Sequence, residues 1–406
     1  FAILNLLFLF WLQLLGLLSG YFRRHLHIFR RCIMPSAIDI GKVVIGTHSG
    51  AFHADELVAC AMLKQLPEYH NAKIVRTRDM DRLAECTIVV DVGGLFDHAA
   101  RRYDHHQREF NLTLTDFYPS TKWDIKLSSA GLIYAHYGHK VIACIAGVQE
   151  VDPMVDVLFH KLYATFVVEI DAIDNGIPPT DSVPRYDLFD AKQFISRYAI
   201  HTGLSSRVSM MVPPWNKPDM DETECFMKAL SMVETEFVDR VRHFAEIWYP
   251  ARAMVAQALD TRRSVDPSGM IMVLKDHGCP WSSHVLELER AELESQSRST
   301  EFSLSDPDTV KGRPVYCVYQ RKDGSWSAQA IPLSESTHFA NRLPFPEPWR
   351  GLRDDELSRV TGQSSCVFVH ATGFLAIHQT FDGIMNLVRK SLKLAKLSDG
   401  LVDVTV

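Results

Sequence analysis

Several short stretches of this chain carry imidazole and carboxylate groups at spacings that could gather metal ions. The densest is Tyr103-Asp104-His105-His106-Gln107, an acidic residue followed by two histidines. Consecutive side chains cannot all share one face of a strand or helix. The run therefore reads as a loop or strand end that fans its groups into a cleft. His48, His53 and Asp55 lie upstream, then Asp91, while Asp174 follows downstream. Together these residues make a mixed set large enough for two divalent ions with a bridging carboxylate. Imidazole plus carboxylate suits manganese better than magnesium, which prefers all-oxygen shells, and it is compatible with zinc and iron.

The elements that must position these groups follow from periodicity. Lys42-Val43-Val44-Ile45-Gly46-Thr47 is a short apolar run, as a buried parallel strand requires. Leu57, Ala61, Met62 and Leu66 then recur at helical spacing up to Pro67. The intervening His48 to Glu56 lies where a strand turns into a helix, and open α/β sheets place ligand sites at such carboxyl ends. Lys73 to Thr77 reads as a second strand, Met80 to Cys86 as a short helix and Thr87 to Val92 as a third strand, ended by Gly93-Gly94. Asp91 ends that apolar run, where a carboxylate is costly unless paired or bound to a cation. Ser128 has the character of a helix N-cap. The apolar segment from Met154 to Ile173 stops at Asn175-Gly176. Asp171 and Asp174, three apart, are expected near one another on one helix face.

The chain has 406 residues, 47% hydrophobic and 23% charged, which allows two or three domains with sizeable cores. A net charge of −6 excludes a global basic field for nucleic acid, so any polyanion must meet a local groove or bound metal. Eight scattered cysteines, none in a Cys-x-x-Cys pair, argue against a zinc ribbon and for a reducing compartment. Residues 1–20 are almost continuously apolar and Arg23, Arg24, Arg30 and Arg31 follow. That pattern suits a membrane anchor or an organelle transit peptide. The expectation adopted is that Met34 opens the folded protein and that 1–33 is a non-core extension, so no stable membrane association is expected of the folded part.

The motifs resemble one family. Gly46 to Glu56, Val89-Val90-Asp91-Val92-Gly93-Gly94, Tyr103 to Gln107, Leu127 to Tyr134 and Asp171 to Gly176 are similar to blocks of the melanocyte-proliferating-gene (Myg) exonuclease family, as are Pro267-Ser268-Gly269, Gly278-Cys279-Pro280-Trp281 and Leu343 to Arg353. The similarity runs from about residue 43 to about 390. That family is a branch of the DHH phosphoesterase superfamily. The resemblance implies an α/β fold, with a parallel-sheet DHH-type catalytic domain over 34–202, a helical connector over 203–262 and a smaller α/β C-terminal domain over 263–400 that binds substrate. It further implies a dimetal site, hence two-metal hydrolysis, and a 3′-to-5′ RNA exonuclease of mitochondrion and nucleus; the donor chemistry favours two manganese ions, with magnesium the alternative.

Carried over by position, His48, His53, Asp55, Asp91, His105 and Asp174 would be metal ligands, with Asp91 the bridge. His106 would face the scissile phosphate and Asp104 would orient its neighbour. His53 departs from the superfamily pattern, standing where relatives usually have an Asp. Arg101 and Arg102 are candidates for drawing RNA in, and His370 and Gly373 for contacting it. Ala376-Ile377 stands where the family usually continues with a Gly-Gly pair. The competing readings are a phosphoesterase for short oligonucleotides or small phosphorylated substrates, and a catalytically weakened RNA-binding protein of the same fold. The sequence gives no protein partner.

Overall fold

The computed structural model describes residues 43–179 and 200–395, apart from 218, 297, 299, 304–306, 311 and 336–338. The expected extension over 1–33, with its apolar run, lies outside the described residues. No helix among those described is long and apolar enough to cross a membrane. The chain divides into two compact units, Phe1–Ala245 and Glu246–Val406.

The first unit is built on a five-stranded sheet. Its strands are β1 (Val44–Thr47), β2 (Lys73–Arg76), β3 (Ile88–Val90), β4 (Phe96–Asp97) and β5 (Arg102–Tyr103), in the order β2-β1-β3-β5-β4. β2, β1, β3 and β5 are parallel, and β4 closes the edge antiparallel to β5. The helices are α1 (Ala54–Lys64), α2 (Met80–Ala84), α3 (Leu114–Phe117), α4 (Ser129–Ala146), α5 (Pro153–Leu162), α6 (Val168–Asp174), α7 (Leu204–Ser209) and α8 (Glu222–His243). A π-helical turn, Tyr163–Val167, joins α5 to α6.

α1 is buried at every position from Ala54 to Leu63, because α4, α6 and α8 pack around it. Helical spacing alone suggested one apolar face, but Val58, Ala59, Cys60 and Leu63 make α1 apolar all round, the pattern of a fully enclosed helix. Its first turn nevertheless brings Asp55 and Glu56 into the core. Carboxylates are favoured there by the positive end of the helix dipole.

The second unit carries β6 (Ile271–His277), β7 (Tyr316–Gln320), β8 (Trp326–Ala330), β9 (Cys366–Val369) and β10 (Leu375–His378), in the order β6-β7-β8-β10-β9. Only β6 and β7 pair in parallel, and the other neighbours are antiparallel. α9 (Tyr249–Val265) and α10 (Ser282–Ser295) cover β6 and its neighbours around Trp281 and Val285. α11 (Asp354–Thr361) packs on β9 and α12 (Phe381–Leu394) on β8 and β10. Asp323-Gly324 turns the chain between β7 and β8: Gly324 has φ +84°, and the Asp323 carboxylate accepts from the Ser325 N–H and hydroxyl. The stretch 203–262, expected as a connector, is helical on both sides of the unit boundary. α8 packs on α1 and α4 in the first unit, and α9 packs on β6 in the second. Both units are α/β, as expected.

Candidate metal centre

Three adjacent parallel strands, β1, β3 and β5, end side by side, and the residue after each enters the site. His48 follows β1, Asp91 follows β3, and Asp104-His105-His106 follows β5. The Asp91 N–H donates to Tyr103 O at 3.0 Å, so strand pairing itself brings Asp91 beside the Asp-His-His run. The start of α1 adds His53, Asp55 and Glu56, and the end of α6 adds Asp174.

The distances are those of a ligand cluster. His48 Nε2 lies 3.0 Å from Glu56 Oε1 and 3.2 Å from Asp91 Oδ2. His105 Nε2 lies 3.1 Å from Asp174 Oδ2, 3.3 Å from Asp91 Oδ1 and 3.9 Å from Asp55 Oδ2. His106 Nδ1 lies 3.6 Å from Asp91 Oδ1. Three groups could each hold an ion: His48, His53, Glu56 and Asp91; Asp91, His105 and His106; and His53, Asp55 and Asp174. Asp91 belongs to the first two and turns one oxygen toward each histidine side.

Several buried atoms here lack any hydrogen-bond partner among the described residues. Asp55 Oδ1 and His105 Nδ1 are in that state, and Asp91 Oδ1 and His105 Nε2 face one another at 3.3 Å without a well-formed hydrogen bond. Buried polar atoms are ordinarily paired, so these orphaned acceptors are what a cation-binding site leaves without its cation. The residues therefore fit one or more divalent ions.

The electrostatics of the metal-free protein agree. Burial raises the Asp55 carboxyl well above its usual range, and the charges of Asp91, Glu56 and Asp174 raise it further. Burial disfavours the His48 imidazolium, yet its contacts with Asp91 and Glu56 prevail and push the ring up to about 10. Burial likewise opposes the charged His105 ring, while Asp174 and Asp91 hold it up at about 9. For Asp91, burial works upward, but His105 and His48 bring it down to about 2. Without metal, repulsion among the carboxylates favours retained protons, on Asp55 and on the His48 and His105 rings.

Asp91 has φ +59°, a left-handed backbone that few non-glycine residues adopt. Gly93 at φ +104° and Gly94 at φ +67° continue the sharp turn. Asp104 fixes it: Oδ2 accepts from the Gly94 N–H at 2.6 Å. Oδ1 accepts from the His106 N–H at 3.1 Å and faces His106 Nδ1 at 2.7 Å. His106, like His53, is exposed, and its ring is raised chiefly by Asp104.

Two further groups hold the cluster. The loop after β1 turns at Gly50, which has φ +96°. Its N–H donates to Glu222 Oε1 at 2.8 Å, and Arg76 joins Glu222 to the Gly50 carbonyl. The Ser129 hydroxyl donates to Asp55 Oδ2 at 2.7 Å.

Of the carboxylates expected together on the α6 face, only Asp174 enters the cluster. Asp171 points the other way and is fully buried. It accepts from Ser128 N–H (2.9 Å), Ser128 Oγ (2.7 Å), Gly131 N–H (3.1 Å) and Tyr163 OH (3.1 Å). Ser128 thus stands at the N-cap of α4, but its hydroxyl serves Asp171 instead of the helix backbone. Glu56 is a potential ligand that the sequence pattern did not single out. Its signal was an acid three residues beyond His53, the capping-box spacing; its carboxylate accepts from the His53 N–H at 2.9 Å.

The expected substrate contacts are placed as follows. Arg101 is exposed, with φ +56°. The Arg102 guanidinium donates to the carbonyls of Leu83, Ala84, Cys86 and Ala100 and so secures the end of α2. His370 and Gly373 lie in the second unit, in the turn between β9 and β10. The His370 ring pairs with Thr372. Gly373 is buried, with φ +76°, and a Cβ there would meet Phe345 O at 3.0 Å and Arg350 Nε at 2.8 Å, so its lack of a side chain answers to packing. Trp281 and Trp349 are buried in the core of that unit.

Comparison with known proteins agrees with the motifs. A family model described as "Uncharacterised protein family (UPF0160)", the MYG1 exonuclease model, matches residues 44–392. The chain is 45% identical over 349 residues to the human MYG1 exonuclease, covering 86% of this chain and 85% of that one. It is 42% identical to a Caenorhabditis elegans MYG1 protein, covering 87% and 96%, and 38% identical to a Saccharomyces cerevisiae MYG1 protein, covering 86% and 95%. No solved structure matches the chain significantly. With the match spanning both units, this chain belongs to the MYG1 exonuclease family.

Proposed function

We propose that the chain is a metal-dependent phosphodiesterase, a 3′-to-5′ RNA exonuclease acting by two-metal hydrolysis with manganese, in mitochondrion and nucleus. The relatives named exonucleases support the nuclease class. The resemblance of the motifs to the Myg family supports direction, RNA and compartments. The observation that carries the reading is Asp91, buried and shared between two ligand groups through its two oxygens.

His48, His53, Glu56 and Asp91 would hold one ion, and Asp91 with His105 the other, joined by Asp55 and Asp174. When bound, such ions neutralise phosphate charge and make a water acidic enough to attack phosphorus. The protein's own groups do the rest. Asp104 orients the His106 ring through Nδ1, which leaves Nε2 to donate to a non-bridging phosphate oxygen as negative charge develops. Gly50, pinned by Glu222 and Arg76, fixes the loop that carries His48 and His53. Hydrolysis breaks one P–O bond, water supplies the new oxygen, and no side chain forms a covalent intermediate.

The test uses RNA labelled at either end, incubated with the manganese-supplemented protein. Release of the 3′ label as mononucleotide, with the 5′-labelled strand shortening stepwise, is the expected result. Internal cleavage, or no cleavage with manganese, magnesium or zinc, would remove the proposal.

A further inference from the structure

We propose that Arg78, which no motif singled out, is the clamp that grips a substrate phosphate beside the metal cluster. The proposal rests on the phosphodiesterase reading above and names a residue of that same site.

Strand register fixes its position. Thr77 N–H donates to Thr47 O at 2.8 Å, extending the β1–β2 pairing by one step past Arg76. The next residues along the two strands, His48 and Arg78, are thereby neighbours. Arg78 Nη2 lies 3.3 Å from His48 Nδ1, and its Nε donates to Ser49 O at 3.1 Å. The guanidinium is thus braced along one edge against the loop that supplies His48 and His53. Arg78 is an exposed residue, and the bond to Ser49 O uses one of the five N–H donors that a guanidinium offers.

The ordinary fate of an exposed arginine is a surface ion pair with a neighbouring acid. Here the neighbours are engaged elsewhere. Asp79 caps α2, accepting from the N–H groups of Asp81 and Arg82, and its own N–H donates to Thr77 Oγ1. Among the described residues, Arg78 has no salt bridge to a carboxylate. Two other arginines near the site differ in kind. Arg76 is committed to Glu222 and the Gly50 carbonyl, and Arg102 to backbone carbonyls at the end of α2. Arg78 alone of these three joins a braced orientation to open donors at the rim of the cluster.

Phosphate chemistry explains why such a group is needed. The cluster contributes the carboxylates of Asp55, Glu56, Asp91 and Asp174, which repel an incoming phosphodiester wherever bound cations do not cancel them. A fixed, permanently charged fork offsets that repulsion and matches two phosphoryl oxygens bidentately. Bracing on Ser49 O sets the direction of the fork before substrate arrives, which lowers the ordering cost of binding.

The rival account makes Arg78 a buttress of His48 alone. Titration calorimetry separates the two, with inorganic phosphate added to the manganese-loaded full chain and, separately, manganese added to the metal-free chain. We expect Arg78→Ala to weaken phosphate binding about tenfold to a hundredfold, the scale of charge-assisted hydrogen bonds, while manganese affinity stays within about twofold. Arg78→Lys keeps the charge without the fork and is expected to fall between. Unchanged phosphate affinity in Arg78→Ala, or a loss of manganese affinity as large as the loss of phosphate affinity, overturns the clamp. The end-labelled RNA assay on the unsubstituted chain judges the functional reading separately. Wild-type RNA degradation with unaltered phosphate binding by Arg78→Ala would sink the clamp and leave that reading standing. Arg78-dependent phosphate binding without RNA degradation would do the reverse.

Discussion

Asp171 and Asp174 stand three residues apart, and their exchange for alanine is predicted to damage the protein in opposite ways. Asp171 is fully buried and receives four donors, two of them backbone N–H groups at the start of α4. Asp171→Ala leaves the N–H groups of Ser128 and Gly131 without their acceptor, along with two hydroxyls that can partly re-pair. Each stranded buried donor costs about 1–3 kcal/mol. Part of this is recovered because a buried carboxylate no longer has to be desolvated. The net expectation is a loss of about 3 kcal/mol, a large share of the roughly 5–15 kcal/mol that holds a domain together. Asp174 is different. Its side chain is partly exposed and faces the other cluster carboxylates through His105. Asp174→Ala removes one partner of His105 but also one of the mutually repelling carboxylates, so the stability of the metal-free protein should stay within about 1 kcal/mol, while manganese binding weakens. The assay is urea unfolding of the metal-free chain, read by hydrogen-exchange mass spectrometry on peptides from α4, which reports the first unit alone. A loss of about 3 kcal/mol corresponds to a midpoint lowered by about 1–2 M urea. Wild-type protection of α4 in Asp171→Ala, or collapse of α4 in Asp174→Ala, would refute the division of labour.

Other consequences follow from the same geometry. Ser129→Ala removes the 2.7 Å hydrogen bond that orients Asp55, and manganese affinity measured by calorimetry should fall about 10- to 100-fold, the usual effect of losing a ligand's supporting partner; an unchanged affinity would remove Asp55 from the ligand set. Burial pushes Asp171 up to about 7 despite its four donors. Its folded pKa lies above the unfolded value, so the folded state holds the extra proton between about pH 4 and pH 7, and stability of the first unit should fall as pH rises through that window. Asp171→Asn should flatten that part of the stability profile, and a slope kept in full would assign it to other groups.

The sequence carried the site better than it carried the supports of the site. His48 and Asp91 were legible because each ends an apolar strand, the Asp104-His105-His106 run because it packs three ligand groups together, and neighbouring parallel strands deliver all of them to one edge. β4 and β5 were missed, since two-residue strands have no periodicity to read. Glu56 went unrecognised because a charge inside an apolar helix start reads as a cap. Asp171 was read as Asp174's companion because helical spacing places residues three apart near one another. It cannot tell which of them faces the cluster and which turns into the N-terminus of another helix. The Arg76–Glu222–Gly50 clasp joins positions 146 and 172 residues apart, and nothing local to any one of them announces it.

The central claim is that Asp91 is shared by two ion sites. Manganese stoichiometry by titration calorimetry, run on the wild-type chain and on Asp91→Asn beside the end-labelled RNA assay, tests it most directly. The account predicts two ions and stepwise hydrolysis for wild type, and loss of at least one ion with abolished hydrolysis for Asp91→Asn. Two ions and undiminished hydrolysis in Asp91→Asn would contradict it.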